Sequence, residues 1–357
     1  MNSIISEKGE THKSKLVQDI PDYNKSDSAS KNTHKEVWYR PKIDKETLKK
    51  FHERRSLPGI LSILLYFLSL VFFGYLAFAT WGTYWTILFF WIYGTIYGFS
   101  GAFEHECRHR TFFKERWLND FFQYFLSFMT YRESVIMRWH HSLHHSYTLR
   151  THDPHDFEIQ IDRPSKLFNF YMSLIPFGQI FFIHKSLLAQ TFKCALGIIP
   201  LSVKDTVPKS QMWKLKLNSR IHILFYCSVV FLSIFYQTIL PILFILLPYY
   251  YGNTLLFLTG YTQHAGLAFN VKDHRVNTRT VILNPILSWL YCNMGYHMEH
   301  HMFPMVPWYN LPKLHEHIKN ELPKPNKGLL SAYLEIIPAV HKQAIDPNYV
   351  PDRAVSS

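Results

Sequence analysis

Two long stretches of the chain carry no charged side chain: Ser56 to Phe103, 48 residues, and Ile221 to Val271, 51 residues. A bilayer core about 30 Å thick is crossed by roughly 20 apolar helical residues, so each stretch has the length of two crossings and a tight turn. The first predicts helices over Ile60–Thr80 and Trp85–Phe103, joined by Trp81, Gly82, Thr83 and Tyr84, whose aromatics suit the headgroup layer. The second predicts helices over Ile221–Tyr236 and Pro241–Tyr261. Pro241 opens a helix more readily than it continues one, and Pro248 is placed to kink the last span. A buried soluble hairpin is the alternative for either stretch, and two runs of this length weigh against it. Asn119–Tyr131 and Leu167–His184 are apolar and aromatic but short or interrupted by polar residues, which predicts segments on the membrane surface. No repeat of solenoid period is present.

Charge orients this pattern. The chain has 38 Lys and Arg against 26 Asp and Glu, a formal net charge of +12, and 13 of the basic residues lie in 1–55. Neither turn contains any, so the positive-inside rule sets both turns outside, and both chain ends and residues 104–220 and 262–357 in the cytoplasm. Residues 1–36 read as a polar tail, and Trp38, Tyr39 and Lys42–Arg55 as an interfacial approach helix. The expected fold is all-α: a four-span transmembrane helical bundle with a cytoplasmic helical cap. Its divisions are a tail and interfacial helix over 1–55, a membrane domain over 56–318, and a cytoplasmic C-terminal tail over 319–357. An apolar content of 48% excludes uniform disorder. The four cysteines, Cys107, Cys194, Cys227 and Cys292, are too scattered for a disulfide framework. Met1 to Asp22 is polar, with no cleavable signal visible.

Histidine carries the candidate chemistry. His105-Glu106-Cys107-Arg108-His109 follows the second predicted span, and Trp139-His140-His141-Ser142-Leu143-His144-His145 comes about thirty residues later. His264 lies just past the fourth span, and Tyr296-His297-Met298-Glu299-His300-His301 comes last. Helical residues three and four apart share a face. His105 with His109, His141 with His144 and His145, and His297 with His300 and His301 can therefore each present imidazoles to one point. With His264 these offer nine imidazoles, too many for one tetrahedral ion, so two metals fit better. Neutral imidazole suits Zn, Cu, Fe and Ni. At this histidine frequency His-x-x-His-His is expected about 0.07 times by chance, and it occurs twice. His140 reads as an extra or exposed ring. His152, His155, His274, His315, His317 and His341 read as surface residues, and His222 as interfacial. Asp153, Asp156 and Glu158 either orient ligand imidazoles or form an ordinary acidic loop. Glu106 and Glu299 either orient ligands and relay protons or are solvated side chains.

These boxes resemble the integral-membrane fatty acid desaturase and hydroxylase superfamily: His-Glu-Cys-x-His, Arg-Trp-x-His-x-x-His-His and Tyr-His-x-Glu-His-His-x-Phe-Pro. The last continues here through Phe303-Pro304, Val306-Pro307-Trp308 and Leu311-Pro312-Lys313-Leu314-His315, and similarity runs from about Ser56 to Ile318. The resemblance implies a non-haem centre of two iron ions (Fe2+/Fe3+), with molecular oxygen as co-substrate. Its implied ligands are His105, His109, His141, His144, His145, His297, His300 and His301, with His264 matching the lone histidine after the last span of relatives. Some relatives carry an Asn four residues before that histidine, where this chain has Gly260. The implied reaction is oxidation of an unactivated methylene, first of all desaturation of a fatty acyl group. Hydroxylation, ketolation, oxidative decarboxylation and oxidation of a smaller polar metabolite occur on similar boxes. The chain shows no haem segment of the cytochrome b5 type, no cysteine cluster for iron–sulfur and no dinucleotide fingerprint. A separate reductase with cytochrome b5 or ferredoxin is therefore expected, alongside a lipid or acyl substrate and the bilayer, with no nucleic-acid partner.

Two readings from other classes remain. His105-Glu106-Cys107-Arg108-His109 also fits His-Glu-x-x-His, the pattern of a membrane zinc protease, which would leave the other boxes unused. A metal transporter would carry its ligands within the spans near the bilayer midplane, where both charge-free stretches have essentially none.

Overall fold

The structure, a computed structural model, describes residues 38–150, 164–185 and 187–353. The expected tail over 1–36, and His152, His155, Asp153, Asp156 and Glu158, lie outside the described residues. The fold is mostly helical. After α1 (Lys45–Phe51) come α2 (Ser56–Ala79), α3 (Tyr84–Gly98), α4 (Ser100–His109), α5 (Arg116–Thr130) and α6 (Ser134–Tyr147). Next are α7 (Pro164–Ser173), α8 (Leu187–Ala195), α9 (Met212–Phe235), α10 (Pro248–Gly252) and α11 (Thr254–Tyr261). Finally come α12 (His297–Met302), α13 (Leu311–Ile318) and α14 (Gly328–Ile345). Val281–Ile282 pairs in parallel with Asn326–Lys327, Val281 opposite Asn326.

Among the described residues, three helical stretches are long and apolar enough to cross a membrane: Lys45–Ala79, Tyr84–His109 and Lys209–Phe235. Helix α2 shows why its apolarity is uniform. Gly59, Ile63, Tyr66 and Leu70 recur at helical spacing on the buried stripe, while Leu61, Leu64, Leu65, Leu68 and Phe72 face outward. An apolar outer face suits lipid. Helix α5 has the same inverted character: Asn119, Gln123 and Ser127 are buried, and Trp117, Phe121 and Phe125 are exposed.

The fourth expected span, Pro241–Tyr261, is not one helix. It runs as a π-helical turn at Ile242–Leu246 followed by α10 and α11. Pro248 has no N–H to give to a carbonyl one turn back, and the loosened carbonyls find tyrosines instead. Tyr251, Tyr93 and Tyr97 donate from their hydroxyls to the carbonyls of Leu243 (3.1 Å), Phe244 (2.8 Å) and Ile245 (2.8 Å), and Tyr131 donates to that of Leu246. Irregular backbone at membrane depth is tolerated only when protein satisfies it in this way. The second expected span is interrupted at Phe99, where α3 stops at Gly98 and α4 resumes at Ser100, within a helical stretch that runs on to His109.

Helices α3 and α10 touch backbone to backbone, because a Cβ on Gly252 would overlap the main chain of Gly94. The stretch expected as a C-terminal tail contains α14, whose Ala332, Ile336, Ala339 and Val340 are buried. Gly252→Ala is expected to destabilise the protein by about 1–3 kcal/mol through overpacking, read as a lower melting temperature in detergent. Gly101→Ala, where the nearest atom lies at 3.6 Å, is expected to leave the melt unchanged.

Candidate metal centre

The expected ligands converge as two groups rather than one per box. His105, His109, His141, His145 and His300 form one, and His144, His264, His297 and His301 the other. Within each group the candidate ligand atoms lie within 4.8 Å of one another. The division follows from helix geometry. His141 and His145 are one turn apart on α6 and point to the first group, whereas His144 is turned away by part of a turn and reaches the second. On α12 the same geometry sends His297 and His301 to the second group and His300 to the first. The expectation that each triplet meets at one point is thereby corrected: two helices each feed both groups.

Spacing within the groups fits metal ligation. The Nε2 atoms of His109 and His141 are 2.7 Å apart, those of His145 and His141 3.0 Å, and those of His145 and His109 3.2 Å. In the second group His297 is 2.9 Å from His264 and 3.0 Å from His301. Adjacent ligands on metal–nitrogen bonds of about 2.1 Å lie about 3 Å apart. Both ring nitrogens of His300 are buried without a hydrogen-bond partner, a costly state unless an ion takes a lone pair. Burial, ahead of the neighbouring imidazoles, holds His141, His145, His297 and His301 well below the ordinary histidine range. It takes His300 down to about 3. These rings are neutral at physiological pH, the form that binds metal.

Partners outside the rings aim them. The Nδ1–H of His264 donates to the carbonyl of Asn277 (3.0 Å), turning Nε2 towards His297. His301 Nδ1 lies 3.1 Å from the hydroxyl of Thr148, which also donates to the His144 carbonyl at 2.8 Å. Such contacts set ring orientation and basicity in metal sites. Nothing in the local sequence marks Thr148 or Asn277, since both act across the fold.

Several single-residue expectations change. His274 and His315 are buried rather than superficial, and His222, expected at the membrane interface, is buried among protein groups. His274 stacks on Trp38 with centroids 4.2 Å apart, His315 Nδ1 meets Glu299 at 2.5 Å, and His222 lies 3.1 Å from the Ser127 hydroxyl. Aromatic and carboxylate partners from distant segments supply their burial. His140 is also buried, while His317 and His341 are exposed. Glu106 and Glu299 are fully buried. Glu106 accepts from Thr111 at 2.7 Å and Glu299 from Thr280 at 2.8 Å, and neither belongs to a metal-ligating group.

One small cavity of about 120 Å³ touches both groups, through His105 and His141 on one side and His144 and His297 on the other. Leu256 and Phe257 supply apolar wall, and Gly260, without a side chain, leaves space beside them. A second opening, a cleft of about 1270 Å³, reaches His109, His141 and His145 of the first group and His301 of the second, and is lined by Arg40, Arg54, Arg110, Arg116, Arg138 and Lys214. Asp120 lies among them, paired with Arg110, Arg116 and Arg138.

A family model described as fatty acid desaturase matches residues 79–332. No curated protein matches the chain.

Helix α6, which delivers three of these rings, is capped by buried Glu133, whose carboxylate accepts from the Ile136 N–H at 2.7 Å and from Asn218. Burial raises the Glu133 carboxyl from 4.5 to about 7. A carboxyl with a raised folded-state pKa contributes stability below its unfolded value that is lost as pH rises through the folded value. The protein is therefore expected to lose on the order of 3 kcal/mol between pH 4.5 and pH 9 through this group. Glu133→Gln should flatten that part of the pH–melting profile.

Proposed function

The chain belongs to the fatty acid desaturase family, and on that premise we propose that it is an oxygen-dependent membrane oxidoreductase with a di-iron centre, introducing a double bond into a fatty acyl chain. The observation that carries this reading is the convergence of nine imidazoles into two groups, with a small, mostly apolar cavity bordered by rings of both. His105, His109, His141, His145 and His300 would hold one iron, and His144, His264, His297 and His301 the other. Two irons, when bound, would supply the oxygen activation that an unactivated methylene requires and no side-chain base can provide.

The protein's own part is to bind, orient and keep dry. Neutral imidazoles leave their lone pairs free for metal, and Asn277 and Thr148 fix how the rings of His264 and His301 face. Leu256, Phe257 and Ala102 line the cavity with apolar surface suited to a methylene chain. The basic cleft behind His109, His141 and His145 supports an acidic electron carrier, cytochrome b5 or ferredoxin served by a separate reductase. By the positive-inside rule, the boxes and both chain ends are cytoplasmic in this reading.

Hydroxylation of the same substrate is the second reading, since both outcomes begin with removal of one hydrogen and only the fate of the resulting carbon differs. The buried Glu106, bonded to Thr111 and outside both groups, favours neither a protease base nor a single-zinc site. The test is expression in a host of known lipid content, with mass spectrometry of lipids and small metabolites with and without oxygen. The expected result is a product two mass units lighter than a host acyl chain, as loss of two hydrogens requires. A product sixteen units heavier would move the assignment to hydroxylation. Iron binding with no oxygen-dependent lipid product would end the acyl-chain reading. His300→Ala is expected to abolish turnover and lower iron content while the protein stays in the membrane.

A further inference from the structure

We propose that Arg279, Glu335 and Arg353 form a clamp through which helix α14 positions the His264 imidazole in the four-histidine group. The proposal rests on reading that group as a metal site, and it concerns what holds its least supported member. Eight of the nine rings project from helices α4, α6 and α12, whose backbone hydrogen bonds fix them. His264 does not: α11 ends at Tyr261, and His264 lies in the turn beyond it. Something outside that turn must hold it.

The buried Arg279 does so directly. Its Nη1 donates to the carbonyls of Thr262 (2.8 Å) and Ala265 (3.2 Å), which bracket His264, and its backbone N–H donates to Gln263 at 3.0 Å. Its Nη2 pairs with Glu335 of α14 at 2.9 Å. Arg353 pairs with the same carboxylate at 3.2 Å and donates to the Thr278 carbonyl at 3.1 Å, one residue from the Asn277 carbonyl that aims His264. Gln343 donates to Leu267 at 2.9 Å, and Gly266, at φ +74°, is pressed against Ala339. The segment after Asn277 also reaches the third box: Thr280 donates to Glu299 at 2.8 Å, and the Val281 N–H to Gly295 at 2.7 Å. Helix α14 therefore grips both the turn that bears His264 and the segment that orients its ring against His297.

Hydrogen exchange on the metal-free protein, followed by iron titration, tests the clamp with Glu335→Gln. The expected result is faster exchange confined to residues 262–267 and 277–281, with α4 and α6 unchanged, and one of two irons bound about 10–100-fold more weakly. Exchange identical to the parent protein, or accelerated equally in α4 and α6, would overturn the proposal. Gln343→Leu removes a donor without stranding a buried charge. It should accelerate the same two segments and decides the question where Glu335→Gln fails to fold; unchanged exchange there is equally fatal. If the parent protein takes up fewer than two irons while exchange changes locally as expected, the di-iron reading falls and the clamp on the turn stands.

Discussion

Bringing nine imidazoles out of water and into two groups sets the terms for the rest of this structure. A buried neutral imidazole has one N–H to give and one lone pair to place, and rings whose Nε2 atoms lie 2.7–3.2 Å apart compete for the same point. A cation at that point turns the competition into ligation, which is why the arrangement is intelligible as a metal centre and costly as anything else. Helix geometry then distributes the rings. Two short helices, α6 and α12, each contribute to both groups, so neither group can form without the other segment in place.

The same demand reaches into the part of the fold that meets lipid. The cavity bordered by both groups is walled by Leu256 and Phe257 of α11, and α11 exists as a separate segment because the last apolar stretch breaks at Pro248 and Asn253. The break would leave carbonyls unpaired in an apolar setting. Four tyrosine hydroxyls, two from α3, one from the end of α5 and one from α10 itself, satisfy them. Apolar side chains thus reach the site on irregular backbone while its polar groups remain paired.

Two openings of opposite character flank the rings. The small cavity is mostly apolar and the larger cleft is basic; both touch rings of the two groups, and His141 and Arg108 border both openings. Arg108 is held by an ion pair with buried Glu104, four residues before it on α4. In the proposed oxidation, a substrate methylene would enter by the small cavity and an electron carrier would approach from the basic cleft.

The chain's own pattern determined much of this. Charge-free stretches marked the apolar helices, since no charged side chain can face lipid cheaply, and histidines three and four apart marked eight of the candidate ligands, since helical periodicity is local, while His264 rested on the family resemblance. All nine candidates meet in the folded chain. Tertiary structure alone decided how they divide, because the division depends on the relative rotation of α4, α6 and α12, which no local spacing encodes. Pro248 marked where the last apolar stretch bends, and tertiary structure decided how its freed carbonyls are met, three of them by Tyr93, Tyr97 and Tyr131 from other segments. His274, His315 and Arg279 are buried because Trp38, Glu299 and Glu335 come to meet them. A polar residue's burial depends on partners that the fold delivers, and those partners lie too far along the chain for its pattern to reveal.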